Sequence, residues 1–129
     1  MTTRTFLATT VAGLAALTLA ACGSDSGSSS SNTMPADAGL VVYAGPGIKF
    51  DKTDYVATAG SVKLAYSNRD AQRHTLGVIN DAKTVLGGEL EVNQSGDLDV
   101  GTYDLPAGTY TLQCLVPGHE NMKATLTVS

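Results

Sequence analysis

Near the C-terminus the chain reads Cys114-Leu-Val-Pro-Gly-His119-Glu-Asn-Met122, which places a thiol, an imidazole and a thioether within nine residues. The other histidine, His74, lies forty residues before Cys114. One thiolate, two imidazoles and a weak thioether are the donors of a trigonal copper centre with a long axial methionine. Structural zinc sites instead close four Cys or His ligands around the ion and use no methionine. Taken singly, each residue has a plainer role: a cysteine at a strand end is ordinarily a small buried hydrophobe, a lone histidine an internally bonded core residue, a methionine a gap filler. What points to a ligand set is their coincidence at spacings one metal ion needs.

Such a set requires a frame, and from about Leu40 to Ser129 the sequence reads as all-β. Val62, Leu64 and Tyr66 alternate with Ser61, Lys63, Ala65 and Ser67, the period of a half-buried strand. The closing segment sets Ala124, Leu126 and Val128 on one face and Lys123, Thr125 and Thr127 on the other. His74, Leu76 and Val78 share a face, as do Tyr110, Leu112 and Cys114 after the Pro106-Ala-Gly108 turn. Leu40-Val-Val-Tyr43 runs into Gly45-Pro46-Gly47, a turn, before Ile48-Lys-Phe50. Short strands punctuated by Gly, Pro, Asn and Asp, with no competing helical period, predict an antiparallel Greek-key β-sandwich or barrel of about seven or eight strands. On that frame Cys114 closes one inward-facing strand and His74 opens another. The turn at Pro117-Gly118 then folds His119 and Met122 back over both.

Composition narrows the setting. The chain has 129 residues, 43% hydrophobic and 16% charged, no Trp, fourteen Gly and a net charge of -4, which describes one small acidic globular domain. That charge repels phosphate backbones and no Lys/Arg cluster counters it, so nucleic acid is not an expected partner. Two cysteines are too few for a disulfide framework.

The first 21 residues read as a secretory signal: Arg4 supplies the positive start, Phe6 to Leu19 the apolar stretch, and Leu19-Ala20-Ala21 a small-residue cleavage site. The apolar run is shorter than the ~20 residues a spanning helix needs. Leu19-Ala20-Ala21-Cys22 resembles the lipobox of bacterial lipoproteins, which implies that Cys22 becomes the lipidated first residue of the mature chain; the alternative is an ordinary signal peptide that releases a soluble protein. Residues 22–39 then form a Ser/Gly-rich tether, expected to hold the 40–129 domain some 20–25 Å from its anchor if it behaves as a flexible coil, at about 5–6 Å times the square root of its length.

Over about Leu40 to Ser129 the chain resembles the blue (type 1) copper proteins, the cupredoxins such as plastocyanin, azurin, amicyanin and the auracyanins. Tyr110-Thr-Leu-Gln-Cys114-Leu-Val-Pro-Gly-His119 followed by Met122-Lys-Ala-Thr-Leu-Thr-Val is similar to the family's strand, Cys-x4-His ligand loop and final strand. Gly60-Ser-Val-Lys-Leu-Ala-Tyr-Ser-Asn68 with His74 resembles the strand and loop around its first histidine. The resemblance implies a cupredoxin-like fold binding one copper ion, with His74, Cys114 and His119 as equatorial ligands and Met122 as the axial one. It implies a single-electron carrier rather than an enzyme. Redox partner proteins, oxidases or reductases of the membrane or the extracytoplasmic space, would meet it at the edge of His119, through apolar Leu115, Val116 and Pro117. Glu120 interrupts that patch with a charge that would favour a basic partner or simply be solvated, and Arg73 beside His74 carries the same ambiguity.

Two departures stand out. Only Glu120 and Asn121 separate His119 from Met122, a spacing shared with amicyanins and the copper subunit of terminal oxidases but shorter than many members show. Thr75 follows the first histidine where the family often has an asparagine that braces the ligand loop; a hydroxyl can do part of that work. A dinuclear centre would need a second loop cysteine, which is absent. With the lipobox, these readings lead to a monomeric copper protein lipid-anchored on the extracytoplasmic face of the cell membrane. The alternative is a copper lipoprotein for trafficking or sequestration, against which the mature chain lacks Met-rich or His-rich tracts. A metal-free adhesive lipoprotein is the third possibility.

Overall fold

The computed structural model describes residues 32–129. The signal segment and Cys22 lie outside the described residues, as does most of the tether. Among the described residues there are nine strands and no helix: Leu40–Gly45 (β1), Lys49–Phe50 (β2), Asp54–Ala57 (β3), Gly60–Asn68 (β4), His74–Ile79 (β5), Val85–Val92 (β6), Leu98–Leu105 (β7), Gly108–Gln113 (β8) and Lys123–Val128 (β9). They form a sandwich of a four-stranded sheet, β2-β1-β4-β7, and a five-stranded sheet, β3-β9-β8-β5-β6.

The all-β sandwich is as the sequence predicts, with two differences of detail. The sheets are mixed rather than wholly antiparallel, because β1 runs parallel to β4 and β3 parallel to β9. Alternation fixes which face of a strand is buried but says nothing about the direction of its neighbour. The count also exceeds seven or eight because β2 has 2 residues and β3 has 4, too few to display a period.

The burial pattern follows the side chains. Along β9 exposure alternates strictly, with Ala124, Leu126 and Val128 inward. In β4, Val62, Leu64 and Tyr66 face the core, but Ala65 on the opposite face is buried as well. Strand β5 is buried from His74 to Val78. It lies between β8 and β6, and Leu115 covers its outer face so closely that a Cβ on Gly77 would meet the Leu115 Cδ1 at 3.0 Å. Between the sheets Leu64, Leu76, Leu105, Leu112 and Leu126 are fully enclosed, each contributing about 1.5–3 kcal/mol relative to exposure.

One end of the sandwich gathers the β4–β5, β6–β7 and β8–β9 loops. Asn68, 1% exposed, organises it. Its backbone N–H donates to Asp97 O at 2.9 Å and its carbonyl accepts from Gly96 N at 2.9 Å, while its side-chain Nδ2 donates to Gln72 O at 2.7 Å. Arg69 N–H donates to Ala44 O at 2.8 Å, so the β4–β5 loop is pinned to β1 as well as to the β6–β7 loop. Ahead of β1, Gly39 N–H donates to Lys63 O at 2.9 Å and Asp37 pairs with the Lys63 ammonium, so the chain is already bonded to β4 before Leu40.

Candidate metal centre

The register between β5 and β8 builds the site. Gly77 faces Gln113 across the ladder, so Cys114, one residue beyond, comes level with Leu76, on the inward face that also carries His74. His74 opens β5 opposite Val92 and is fully buried. Cys114 is a free cysteine, 1% exposed. The chain then leaves β8 and returns at β9 through a loop closed at its base, where Cys114 N–H donates to Met122 O at 3.0 Å. Inside that loop His119 N–H donates to Val116 O at 3.0 Å and Met122 N–H to His119 O at 2.9 Å. Gly118 takes φ +90°, a left-handed conformation that a residue with a Cβ adopts only with strain, and this bend turns His119 inward. Its amide donates to Glu120 Oε1 at 3.0 Å, and that bond is the chief reason the Glu120 carboxyl sits below its usual range.

As a result, donor atoms of His74, Cys114 and His119 all lie within 4.8 Å of one another, and all three residues are buried. The His119 Nδ1 is 3.7 Å from Cys114 Sγ, and the two imidazole centroids are 5.1 Å apart. Bonds of about 2.0 Å to nitrogen and about 2.3 Å to sulfur, 120° apart in a trigonal complex, separate the two donors by about 3.7 Å. The observed 3.7 Å between His119 Nδ1 and Cys114 Sγ fits two donors of one metal ion.

His74 supplies an independent sign. Its Nε2 is 3.0 Å from Asp70 Oδ2, whereas its Nδ1, fully enclosed, has no hydrogen-bond partner among the described residues. A buried ring nitrogen without a partner costs about 1–3 kcal/mol. With Nε2 at the carboxylate, Nδ1 is the ring nitrogen left over for a metal, the arrangement common where a carboxylate backs a ligating histidine. The His74 imidazole in turn holds the Asp70 carboxyl below its usual range. An orphaned lone pair, a thiol sulfur and a second imidazole fit a single copper ion, for which one sulfur and two nitrogens are the favoured donors.

Around the donors, Thr75 does the bracing expected of it. Its Oγ1 accepts from Leu115 N–H at 2.9 Å, and its own N–H points to Cys114 Sγ at 3.4 Å. Met122 is 1% exposed and packs in the same buried cluster as Cys114. Arg73 pairs instead with Glu91 on the neighbouring strand at 2.6 Å, both side chains well exposed. Asp70 is a functional residue that the sequence motif does not mark, and Asn68 is marked there only as the end of a strand. A signal was there: an acidic residue four before the histidine, in the loop that Asn68 opens.

No protein-family model and no curated protein matches this sequence. Solved structures do. The chain is similar to a reduced auracyanin from Roseiflexus castenholzii, at 18% identity and TM-score 0.57 over 70% of this chain and 95% of that one. Auracyanin A, a "blue" copper protein from Chloroflexus aurantiacus, matches at 24% identity and TM-score 0.57, covering 69% of this chain and 96% of its own. A purple cupredoxin from Nitrosopumilus maritimus matches at 17% identity and TM-score 0.55 over 70% of this chain and 99% of that one. At these identities the likeness is one of fold, and the fold is that of the cupredoxins. Fold and site together define the class: a cupredoxin-like β-sandwich with a buried His-Cys-His cluster suited to one copper ion.

Proposed function

We propose that the chain is a mononuclear type 1 copper protein that carries single electrons. His74, Cys114 and His119 would hold the ion, with Met122, buried beside them, as the fourth donor. The observation that carries this reading is the buried three-residue cluster, with donor atoms within 4.8 Å of one another and the His74 Nδ1 left without a hydrogen-bond partner among the described residues. Copper bound there supplies a one-electron couple between Cu(II) and Cu(I). The protein's own part is to keep the donors still. Asp70 orients His74, Thr75 ties the ligand loop to β5, and the bond from Cys114 N to Met122 O closes the loop. A cage already in place needs little rearrangement when the charge on the ion changes.

His119 is 8% exposed, and its ring edge is the route between metal and solvent. Leu115, exposed at 36%, with Val116 and Pro117 forms the apolar contact for brief docking. Its partners are redox proteins of the membrane or the extracytoplasmic space. Leu19-Ala20-Ala21-Cys22 supports lipid attachment at Cys22 and a place on the extracytoplasmic face of the cell membrane.

Adding Cu(II) to the purified protein is expected to produce an intense blue or green thiolate-to-copper band that Cys114→Ser abolishes. A colourless complex removes the reading, and loss of metal on each redox cycle turns it into one of copper delivery. Cys22→Ala is expected to move the protein from the membrane fraction to the soluble one.

A further inference from the structure

The Asp70 carboxylate is held more firmly than a loop residue needs to be. Its Oδ1 accepts from Ala71 N–H at 2.7 Å, its Oδ2 meets His74 Nε2 at 3.0 Å, and its backbone N–H donates to Asn68 Oδ1 at 2.8 Å. Asn68 is itself anchored to Gln72 and Asp97. The Asp70 side chain is 12% exposed, so its charge is only partly screened, and the imidazole it touches is fully buried. The two basic side chains nearest in sequence are engaged elsewhere: the Arg69 guanidinium lies over the Tyr43 ring, 3.4 Å from its centroid, and Arg73 pairs with Glu91.

We propose that Asp70 is the positioning residue of the metal centre, and that it acts in two separable ways. By geometry, it holds His74 with Nε2 protonated and Nδ1 free to face Cys114 and His119. By charge, it favours the more positive metal ion. The thiolate and two neutral imidazoles carry one negative charge; with Asp70 the count is two, which a divalent ion balances and a monovalent ion does not. The carboxylate oxygen lies 3.0 Å plus the width of one imidazole from Nδ1, well inside 10 Å. At an effective dielectric constant of about 20, a unit charge at that range shifts such an equilibrium by at least about tenfold. The charge effect rests on the copper reading above, whereas the orienting effect does not need it.

Two variants divide the effects. Asp70→Asn keeps an oxygen that accepts from Nε2–H and drops the charge; Asp70→Ala drops both. The His74 tautomer is read by nitrogen NMR on the metal-free protein, and the midpoint potential by spectroelectrochemical titration of the copper-loaded protein. The wild type is expected to show the Nε2–H form, Asp70→Asn to keep it, and Asp70→Ala to give a mixture with copper affinity about 10–100-fold weaker. Asp70→Asn is expected to lower the preference for Cu(II) over Cu(I) by about tenfold or more, a rise of about 59 mV per tenfold for a one-electron couple. An unchanged potential in Asp70→Asn overturns the charge effect, and an unchanged tautomer in Asp70→Ala overturns the orienting one. Should Asp70→Ala not fold, Asp70→Glu replaces it: the longer side chain keeps the charge and displaces the oxygen, and an unaltered tautomer and copper affinity there overturn the orienting effect. A wild type that binds no copper overturns the reading beneath while leaving the tautomer result standing.

Discussion

Replacing Thr75 by valine takes one hydroxyl from between the two segments that carry the donors while keeping the side chain's volume. In the native protein that oxygen accepts from Leu115 N–H at 2.9 Å and lies 4.0 Å from Cys114 Sγ, on a residue 2% exposed. The backbone N–H of Thr75, 3.4 Å from Sγ, is untouched by the change. The loss is therefore one acceptor for one amide, together with the long contact to the sulfur. Leaving a buried donor unsatisfied costs about 1–3 kcal/mol. Leu115 is 36% exposed, so water recovers part of that, and the added methyl is buried favourably; the net expectation is about 1 kcal/mol. For a domain of about 100 residues that is a fall in Tm of roughly 4–8 °C. Urea unfolding of the metal-free, reduced protein should give a lower midpoint at unchanged slope, and Thr75→Ser, which keeps the oxygen, should recover most of the loss. With copper bound, the valine variant should release metal faster than the serine one, because the ligand loop is no longer clipped to β5. If valine and serine variants unfold together with the wild type, the hydroxyl is not the clip and the account of the loop is wrong.

The Tyr66 hydroxyl is buried with no partner among the described residues, and burial raises its phenol far above the ordinary range. Since the folded value exceeds the unfolded one, its contribution is intact below about pH 10 and is lost as pH climbs beyond that. Tyr66→Phe should be neutral to stabilising by up to about 1 kcal/mol at neutral pH and should flatten the alkaline fall, with a residual slope from Tyr55 and Tyr103, whose values are also raised. Calorimetry from neutral pH to pH 11 checks this, and a loss of stability at neutral pH would show that the hydroxyl is in fact paired. Gly87→Ala should cost at least about 1–2 kcal/mol, since φ is +64° and the new Cβ would meet the Tyr103 ring at 2.8 Å. Copper at a thousandfold excess over its Kd should raise stability by about 4 kcal/mol in the wild type and far less in Cys114→Ser, as read by thermal unfolding.

Much of the fold was legible because period-two burial is local. Val62, Leu64 and Tyr66 and the alternation from Lys123 to Val128 show their inward faces in the sequence alone. The approach of Cys114 to His119 was legible for a related reason: they share one loop, and a turn at Pro117-Gly118 leaves few other ways to arrange them. Thr75 was expected to brace the loop by its position after His74, and it does so through Leu115 N–H. The parallel pairings were not legible, because a strand's side chains do not state its neighbour's direction. Asp70 escaped notice because it reads as one more surface carboxylate until the loop that Asn68 pins turns it onto His74.

The amino-acid sequence by itself determined the chemistry on offer: one inward sulfur, two imidazoles, and strands whose apolar faces must be hidden from water. Only the tertiary structure decided that His74 and Cys114 meet. They are set together by the ladder in which Gly77 faces Gln113 and Val78 faces Leu112. The reason is physical. A side chain's type and periodicity constrain the face it presents, over a few residues, whereas which distant strand lies alongside, and in what register, is settled by packing the whole core at once. A slip of one residue in that ladder would turn one donor to the opposite face, away from the other two.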